Sequence, residues 1–249
     1  MELNLKTVES FLDDLFTHDE GYRDEHLLRA LSLFEEPGDV VSLIRSIHSS
    51  PTLLQSVARN SYSHVNGFEK LVLLASPRLG YKLRLHIWWP DERRETREDI
   101  HNHRWDFGSR ILLGQLEFEN FIQASEGSRL LRYASYSRGS EECFRFQQTG
   151  SAQLSSGFTG RLKMGSFYCQ PHHAAHASAS ERSVTTATLL VQGPPRRDFS
   201  DVFLPRAREN QTKIAAFSLR PEQVARQLEE IAARLQRSQV PYQPLRAAV

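Results

Sequence analysis

Residues 81–89 read YKLRLHIWW, and two kinds of side chain alternate along them. Successive side chains of a β-strand point to opposite faces, so this stretch predicts a strand with two different faces. One face is apolar and consists of Tyr81, Leu83, Leu85, Ile87 and Trp89. The other face consists of Lys82, Arg84, His86 and Trp88. Polar residues on a face that should be half-buried are typical of a barrel with a wet, functional interior.

Similar runs continue from about residue 68 to residue 204. They are short, rich in Val, Ile, Leu, Tyr and Phe, and separated by Gly, Ser, Asn and Pro clusters; examples are residues 109–122, 129–137 and 183–192. This pattern predicts many short antiparallel strands, hence a mainly β sandwich or barrel.

Helical patterns flank this region. Apolar residues recur three and four positions apart over residues 7–60, with turn signals at Pro37-Gly38 and Ser49-Ser50-Pro51. A second helix is expected after Pro221. We therefore expect one domain over residues 1–249, with a helical N-terminal extension (1–66), a β-barrel (67–205) and a C-terminal helical extension (206–249).

Composition narrows the class of protein. The 249 residues include 31 Lys and Arg against 30 Asp and Glu, for a formal charge of +1. Such a balance argues against a nucleic-acid partner bound through bulk charge. No apolar run approaches the roughly 18 residues of a membrane span, and the N-terminus lacks secretory-signal features. With only Cys143 and Cys169, and so no disulfide framework, we expect a cytoplasmic protein without membrane partners.

The sharpest local signal is residues 99–106, DIHNHRWD. On a strand, positions i and i+2 point the same way, so His101 and His103 present two imidazoles side by side. Neutral imidazole suits iron, nickel, copper and zinc, so the pair is half of a metal site. The alternative is a pair of surface histidines at a strand end.

A second cluster lies at residues 165–176, GSFYCQPHHAAH. If this segment and the first cluster lie on adjacent strands, one of its three histidines completes the metal site. The residues alone leave open whether His172 or His173 replaces or supports His176. The alternatives are turn positions for His172 and His173, and a core position for His176.

These residues resemble the two motifs of the cupins. The second motif, G(X)5PXG(X)2H(X)3N, fits Gly165, Pro171 and His176, with Ser180 in place of the final Asn. The first motif requires HXH followed by an acidic ligand, and here Phe107 or Gly108 occupies the acid's place. The resemblance implies a cupin-type double-stranded β-helix, or jelly-roll, barrel over roughly residues 68–195.

Within the cupins, the chain most resembles the cysteine dioxygenase-like branch. These thiol dioxygenases bind ferrous iron through three histidines and no carboxylate, and they carry helices ahead of the barrel. The resemblance implies Fe(II) held by His101, His103 and His176, with Zn, Ni or Mn as alternative metals. It also implies a small thiol or amino-acid-like substrate and dioxygen as the partners, and a homodimer is left open because cupins often pair.

Three polar residues are candidate catalytic residues beside the metal. Arg84 and His86 lie on the polar face of residues 81–89, where a guanidinium would match a substrate carboxylate. A solvated strand position is the alternative for Arg84. Asp106 is expected to orient His101 or His103 through a ring N–H; as alternatives, it is itself a ligand or it caps a turn with Gly108.

The function expected from these residues is a mononuclear non-haem iron oxygenase or dioxygenase. Two alternatives stay open. The first is a non-oxidative metal-dependent cupin enzyme, such as an isomerase, a lyase or an N–N bond-forming enzyme. The second is a cupin that binds a small ligand or a metal without turnover, because a fold does not by itself imply an activity.

Overall fold

A computed structural model describes residues 3–17, 24–64, 66–91, 97–136, 143–207, 213–215 and 217–238. The helices are α1 (Leu5–Thr17), α2 (Asp24–Leu31), α3 (Pro37–His48), α4 (Pro51–Asn60) and α5 (Pro221–Arg237), with a 3-10 turn at Ser32–Phe34. Three of them begin at a proline, whose fixed φ suits the first helical turn and whose missing N–H has no partner to lose there. The helices lie where the apolar spacing predicts them. The end of the C-terminal extension, after residue 238, lies outside the described residues.

The strands form two antiparallel sheets. They are β1 (Tyr62–His64), β2 (Phe68–Ala75), β3 (Lys82–Trp88), β4 (Ile100–His101), β5 (Phe107–Leu113), β6 (Gln115–Tyr136), β7 (Cys143–Lys163), β8 (Phe167–Gln170), β9 (Ala175–Ser180), β10 (Thr186–Gln192), β11 (Phe199–Leu204), β12 (Lys213–Ala215) and β13 (Phe217–Ser218). The seven-stranded sheet has the order β13-β1-β2-β3-β10-β5-β8, and the six-stranded sheet has the order β11-β4-β9-β6-β7-β12. Both sheets line one cavity, which confirms the predicted mainly β barrel of antiparallel strands.

The two faces of β3 have the predicted environments. Its apolar side chains lie in the main hydrophobic core, which joins the seven-stranded sheet to all five helices. Its polar side chains, together with Trp88, line the cavity. The helices therefore close the outer face of this sheet and leave its inner face to the site. No helix in the described ranges has both the length and the apolar content to cross a membrane.

The run at residues 109–122 differs from the single strand that its composition predicts. It breaks at Gly114, between β5 in one sheet and β6 in the other. Gly114 has φ of 68°, a left-handed conformation that favours glycine. A Cβ there would lie 2.6 Å from Thr186 Oγ1 and 2.8 Å from the Thr185 carbonyl oxygen. This glycine allows the chain to pass from one sheet to the other.

The longest strands, β6 and β7, form one antiparallel hairpin between the two histidine clusters. The second half of β7 is rich in Ser, Thr, Gly and Gln, so its composition gave no strand signal. It nevertheless pairs with β6, and the register of the whole β6–β7 pairing shifts at three places. The hairpin accounts for the long separation between the clusters.

Candidate metal centre and cavity

The structure brings His101, His103 and His176 together. His101 on β4 is the register partner of His176 on β9, and His103 follows β4 directly. The ring centroids are 4.7 Å apart for His101 and His176, 4.9 Å for His101 and His103, and 5.0 Å for His103 and His176. One ligand atom from each residue lies within 4.8 Å of the other two. The three imidazoles therefore converge on one point in the wall of the cavity.

Backbone carbonyls orient two of these rings. The His101 Nδ1 lies 2.8 Å from the Asp99 carbonyl oxygen, and the His176 Nδ1 lies 3.4 Å from the Ala174 carbonyl oxygen. Because a carbonyl oxygen only accepts, each Nδ1 carries the proton and each Nε2 keeps its lone pair. Burial and the neighbouring His101 lower the pKa of both His103 and His176 well below its ordinary value. Neutral imidazole is the form that binds metal ions.

No described carboxylate joins this group. The acids of β6 are paired on the outside of the barrel, Glu117 with Arg161 at 3.0 Å and Glu119 with Arg97. At the motif's acid position, the Phe107 ring lies edge-on to His103, with centroids 4.9 Å apart. The donor set is three neutral imidazole nitrogens, which fits iron, nickel, copper or zinc. The metal-binding role of the three histidines stays a prediction.

The remaining residues of the second histidine cluster lie outside this group. His173 is exposed, and His172 contacts Asp106 instead. The Asp106 Oδ1 accepts hydrogen bonds from the His172 backbone N–H at 2.6 Å and ring Nδ1 at 2.8 Å. Its Oδ2 lies 3.4 Å from Arg196 Nε. Asp106 therefore holds the turn before β9, and its described contacts do not include His101 or His103; a catalytic role for it stays a prediction.

A polar brace fixes the segment that carries His101 and His103. Asn102 lies between the two histidines, and its side chain forms two hydrogen bonds with Asp201 on β11. Its Oδ1 accepts from the Asp201 backbone N–H at 2.6 Å, and its Nδ2 donates to the Asp201 Oδ2 at 2.9 Å. Arg197 donates to the His103 carbonyl oxygen at 3.0 Å, to Asp201 at 3.0 Å, and to Asn102. Burial favours a raised pKa at Asp201, but hydrogen bonds from Arg132 and Asn102 and the arginine charges lower it overall. The brace is therefore charged.

The cavity has a volume of about 520 Å³ and contains the predicted residues Arg84 and His86. Arg84 is only 5% exposed, and its Nε and Nη1 have no hydrogen-bond partner among the described residues. His86 is 9% exposed, and its Nε2 likewise has no hydrogen-bond partner in the part of the chain that the structure describes. The Arg84 guanidinium lies 4.7 Å from the Trp105 ring centroid, and Trp105 stacks on His103 at 4.3 Å. Trp105 thus separates Arg84 from the histidine group.

Several cavity residues were not predicted as site residues from the sequence. Lys70, Lys82, Glu98 and Tyr168 all line the cavity. Burial raises the pKa of Glu98, which lies near His101, and also raises the pKa of Tyr168. Lys82 shares the polar face of β3 that the alternation predicts. Glu98 gives no such signal, because it precedes β4 in a segment without strand periodicity.

No protein-family profile matches the chain, and no curated protein matches it. Among solved structures, the chain is similar to KdgF from Halomonas sp., at 16% identity over 55% of this chain and 89% of that chain, with a TM-score of 0.33. It is similar to hydroquinone 1,2-dioxygenase PnpCD, in complex with Cd2+ and 4-hydroxybenzonitrile, at 17% identity over 56% and 70%, with a TM-score of 0.31. It is also similar to the Drosophila melanogaster CENP-C cupin domain, at 8% identity over 53% and 74%, with a TM-score of 0.31. These names describe different proteins, so the similarity selects no reaction.

Proposed function

We propose that this chain is a metal-dependent oxidoreductase, a mononuclear non-haem iron oxygenase or dioxygenase acting on a small anionic substrate of the amino-acid or thiol class. The observation that carries the proposal is the convergence of His101, His103 and His176, without a described carboxylate among their ligand atoms, in a cavity whose lining includes several cationic side chains. Bound Fe(II) would supply a Lewis-acidic site at which dioxygen and substrate react.

The chain's own residues account for substrate binding. Three neutral imidazoles bring no negative charge to the site, so an anionic substrate atom is favoured there. Arg84 lines the same cavity with two donors that no other described residue satisfies, which suits an acid group of the substrate. Phe107 and Phe118 pack against the histidine rings and keep water from that side of the group.

Metal content and oxygen uptake test the proposal together. We expect protein loaded anaerobically with Fe(II) to retain one equivalent, and His103→Ala to lose it. We expect the loaded protein to consume oxygen with one member of a panel of amino acids and thiols. His173→Ala is the matched control, because His173 is exposed and outside the group, and it should keep both properties. If His103→Ala retains as much iron as the wild type, the proposed metal site is wrong. If no member of the panel makes the loaded protein consume oxygen, the proposed oxygenase activity is wrong.

Glu98 supports a second candidate, a non-oxidative metal-dependent isomerase or lyase. Its carboxyl lines the cavity beside the histidine group and accepts a hydrogen bond from Ser178, a position from which it can move a substrate proton. Substrate conversion without oxygen, lost in Glu98→Gln, would favour this candidate over the oxygenase.

A further inference from the structure

One wall of the cavity carries three cationic side chains. Lys82 and Arg84 lie two positions apart on β3, so both point from the same face of the strand. Arg104 comes from the segment after β4, next to Trp105. All three line the cavity.

These charges have little compensation from the protein. In the described part of the chain, neither Lys82 nor Arg84 forms an ion pair, and Arg84 is buried with two unpartnered donors. Arg104 donates to the Asp198 carbonyl oxygen at 3.5 Å and is also attracted by the charge of Asp198. A buried cation without a partner is costly unless a ligand supplies the opposite charge.

The cations also act on one another. Burial, Arg84 and Arg104 together lower the pKa of Lys82 to about 8. Burial lowers the pKa of Arg84 to about 10, with Tyr62 opposing this effect and Arg104 adding to it. Glu98 is not among the groups that offset these charges, and it lies towards His101 instead. The positive charge of this wall could therefore be balanced by a ligand that carries more than one negative charge.

We propose that Lys82, Arg84 and Arg104 form a subsite for a dianionic tetrahedral acid group, a phosphate monoester or phosphonate, carried by the substrate. The inference rests on the proposed function, because it places this group on the substrate of the same site. A carboxylate has one charge and two oxygens, which the Arg84 fork alone would satisfy. A phosphoryl group has three oxygens and nearly two charges, which matches a guanidinium with two further cations. Trp105 keeps this group away from the three histidines.

Two small anions of the same shape test the subsite. Methyl phosphate and methyl sulfate are both methyl-capped tetrahedral oxyanions, but near pH 7 only the phosphate is mostly dianionic. We expect calorimetric titration of the metal-loaded protein to show methyl phosphate binding at least about tenfold more tightly than methyl sulfate. Equal affinities would overturn the proposal.

A matched pair of lysine variants locates the effect. Lys82→Met should reduce the preference for methyl phosphate to less than about threefold, because one cation is lost while every histidine remains. Lys163→Met removes an exposed lysine outside the cavity and should keep the full preference. A preference that survives Lys82→Met would contradict the subsite.

The same titration separates this proposal from the proposed function. We expect His103→Ala, which should lack the metal, to retain the preference for methyl phosphate. If the preference persists while the wild-type protein neither holds iron nor consumes oxygen, the subsite stands and the oxygenase fails. If the preference disappears in His103→Ala although the wild-type protein holds iron, the metal and not the three cations distinguishes the two anions, and the subsite proposal is wrong.

Discussion

Arg84 combines two properties that usually exclude each other in a stable protein. It is a cation inside the barrel, and no described residue offers an acceptor to its Nε or Nη1. Leaving a buried donor unsatisfied costs roughly 1–3 kcal/mol, so the residue works against folding. Stacking on Trp105 offsets part of that cost. This combination supports the proposed role of Arg84 in binding an acid group of the substrate.

We therefore expect Arg84→Met to stabilise the protein while removing substrate binding. Met keeps much of the side-chain volume without buried donors, so the free energy of unfolding should rise by about 1–3 kcal/mol in urea titrations. Arg78→Met, at an exposed ion pair with Asp13, should change it by less than about 0.5 kcal/mol. A destabilised Arg84→Met variant would show that the guanidinium has a structural role instead.

The depressed pKa of Lys82 predicts a pH dependence of anion binding. Among the described residues, the charged groups that act on Lys82 are Arg84 and Arg104, and its register partners Gln192 on β10 and Ala75 on β2 carry no charge. Lys82 is protonated below pH 8 and neutral above it, so affinity should fall as the pH rises through about 8. Sulfate is a suitable probe because its own charge stays constant over this range. Constant sulfate affinity from pH 7 to pH 9 would exclude Lys82 from the binding wall.

The strand that carries His101 is only two residues long, so its position depends on the brace of Asn102, Arg197 and Asp201. We expect Asp201→Ala to weaken metal binding about 10–100-fold although every imidazole remains. Competition with a chromophoric chelator measures this. Glu117→Ala, at an exposed ion pair, is the control and should bind as the wild type does. Unchanged affinity in Asp201→Ala would mean that the brace does not position the ligands.

Gly114 controls the passage from β5 to β6. Gly114→Ala places a Cβ within 3 Å of Thr185 and Thr186 at a left-handed φ, so we expect it to lose at least about 1–3 kcal/mol of unfolding free energy. Gly38→Ala is the matched control, because its Cβ meets nothing within 4 Å and its φ is ordinary. Chemical denaturation of both variants checks this. Equal stabilities would show that the sheet crossing tolerates a side chain.

The elements that sequence patterns predict are those whose signal is local. The helices and β3 show clear apolar periodicity, and the HXH spacing places two imidazoles on one side. Strand β9 and the second half of β7 consist mostly of small or polar residues, so only their pairing with β6 makes them strands. Glu98 enters the cavity for the same reason, through its hydrogen bonds to Ser178 on β9. Strands that form only through pairing with distant segments cannot be predicted from the composition of their own residues.

For the whole molecule, metal binding should raise stability. A ligand that binds only the folded chain stabilises it by about 2.7 kcal/mol at a hundredfold excess over its dissociation constant. For a chain of this size that corresponds to a rise of roughly 5–10 °C in Tm, measured by calorimetry with and without added Fe(II) under anaerobic conditions. His103→Ala should show no rise. A rise of the same size in the variant would place the metal elsewhere.

The hairpin of β6 and β7 separates His103 from His176 by about seventy positions. At ordinary rates of protein synthesis, the first two imidazoles are made on the order of ten seconds before the third. During that interval the nascent chain contains only two of the three histidines, because His176 on β9 has not yet been made. We therefore expect a metal that needs all three histidines to bind only after β9 has been made and has paired with β4.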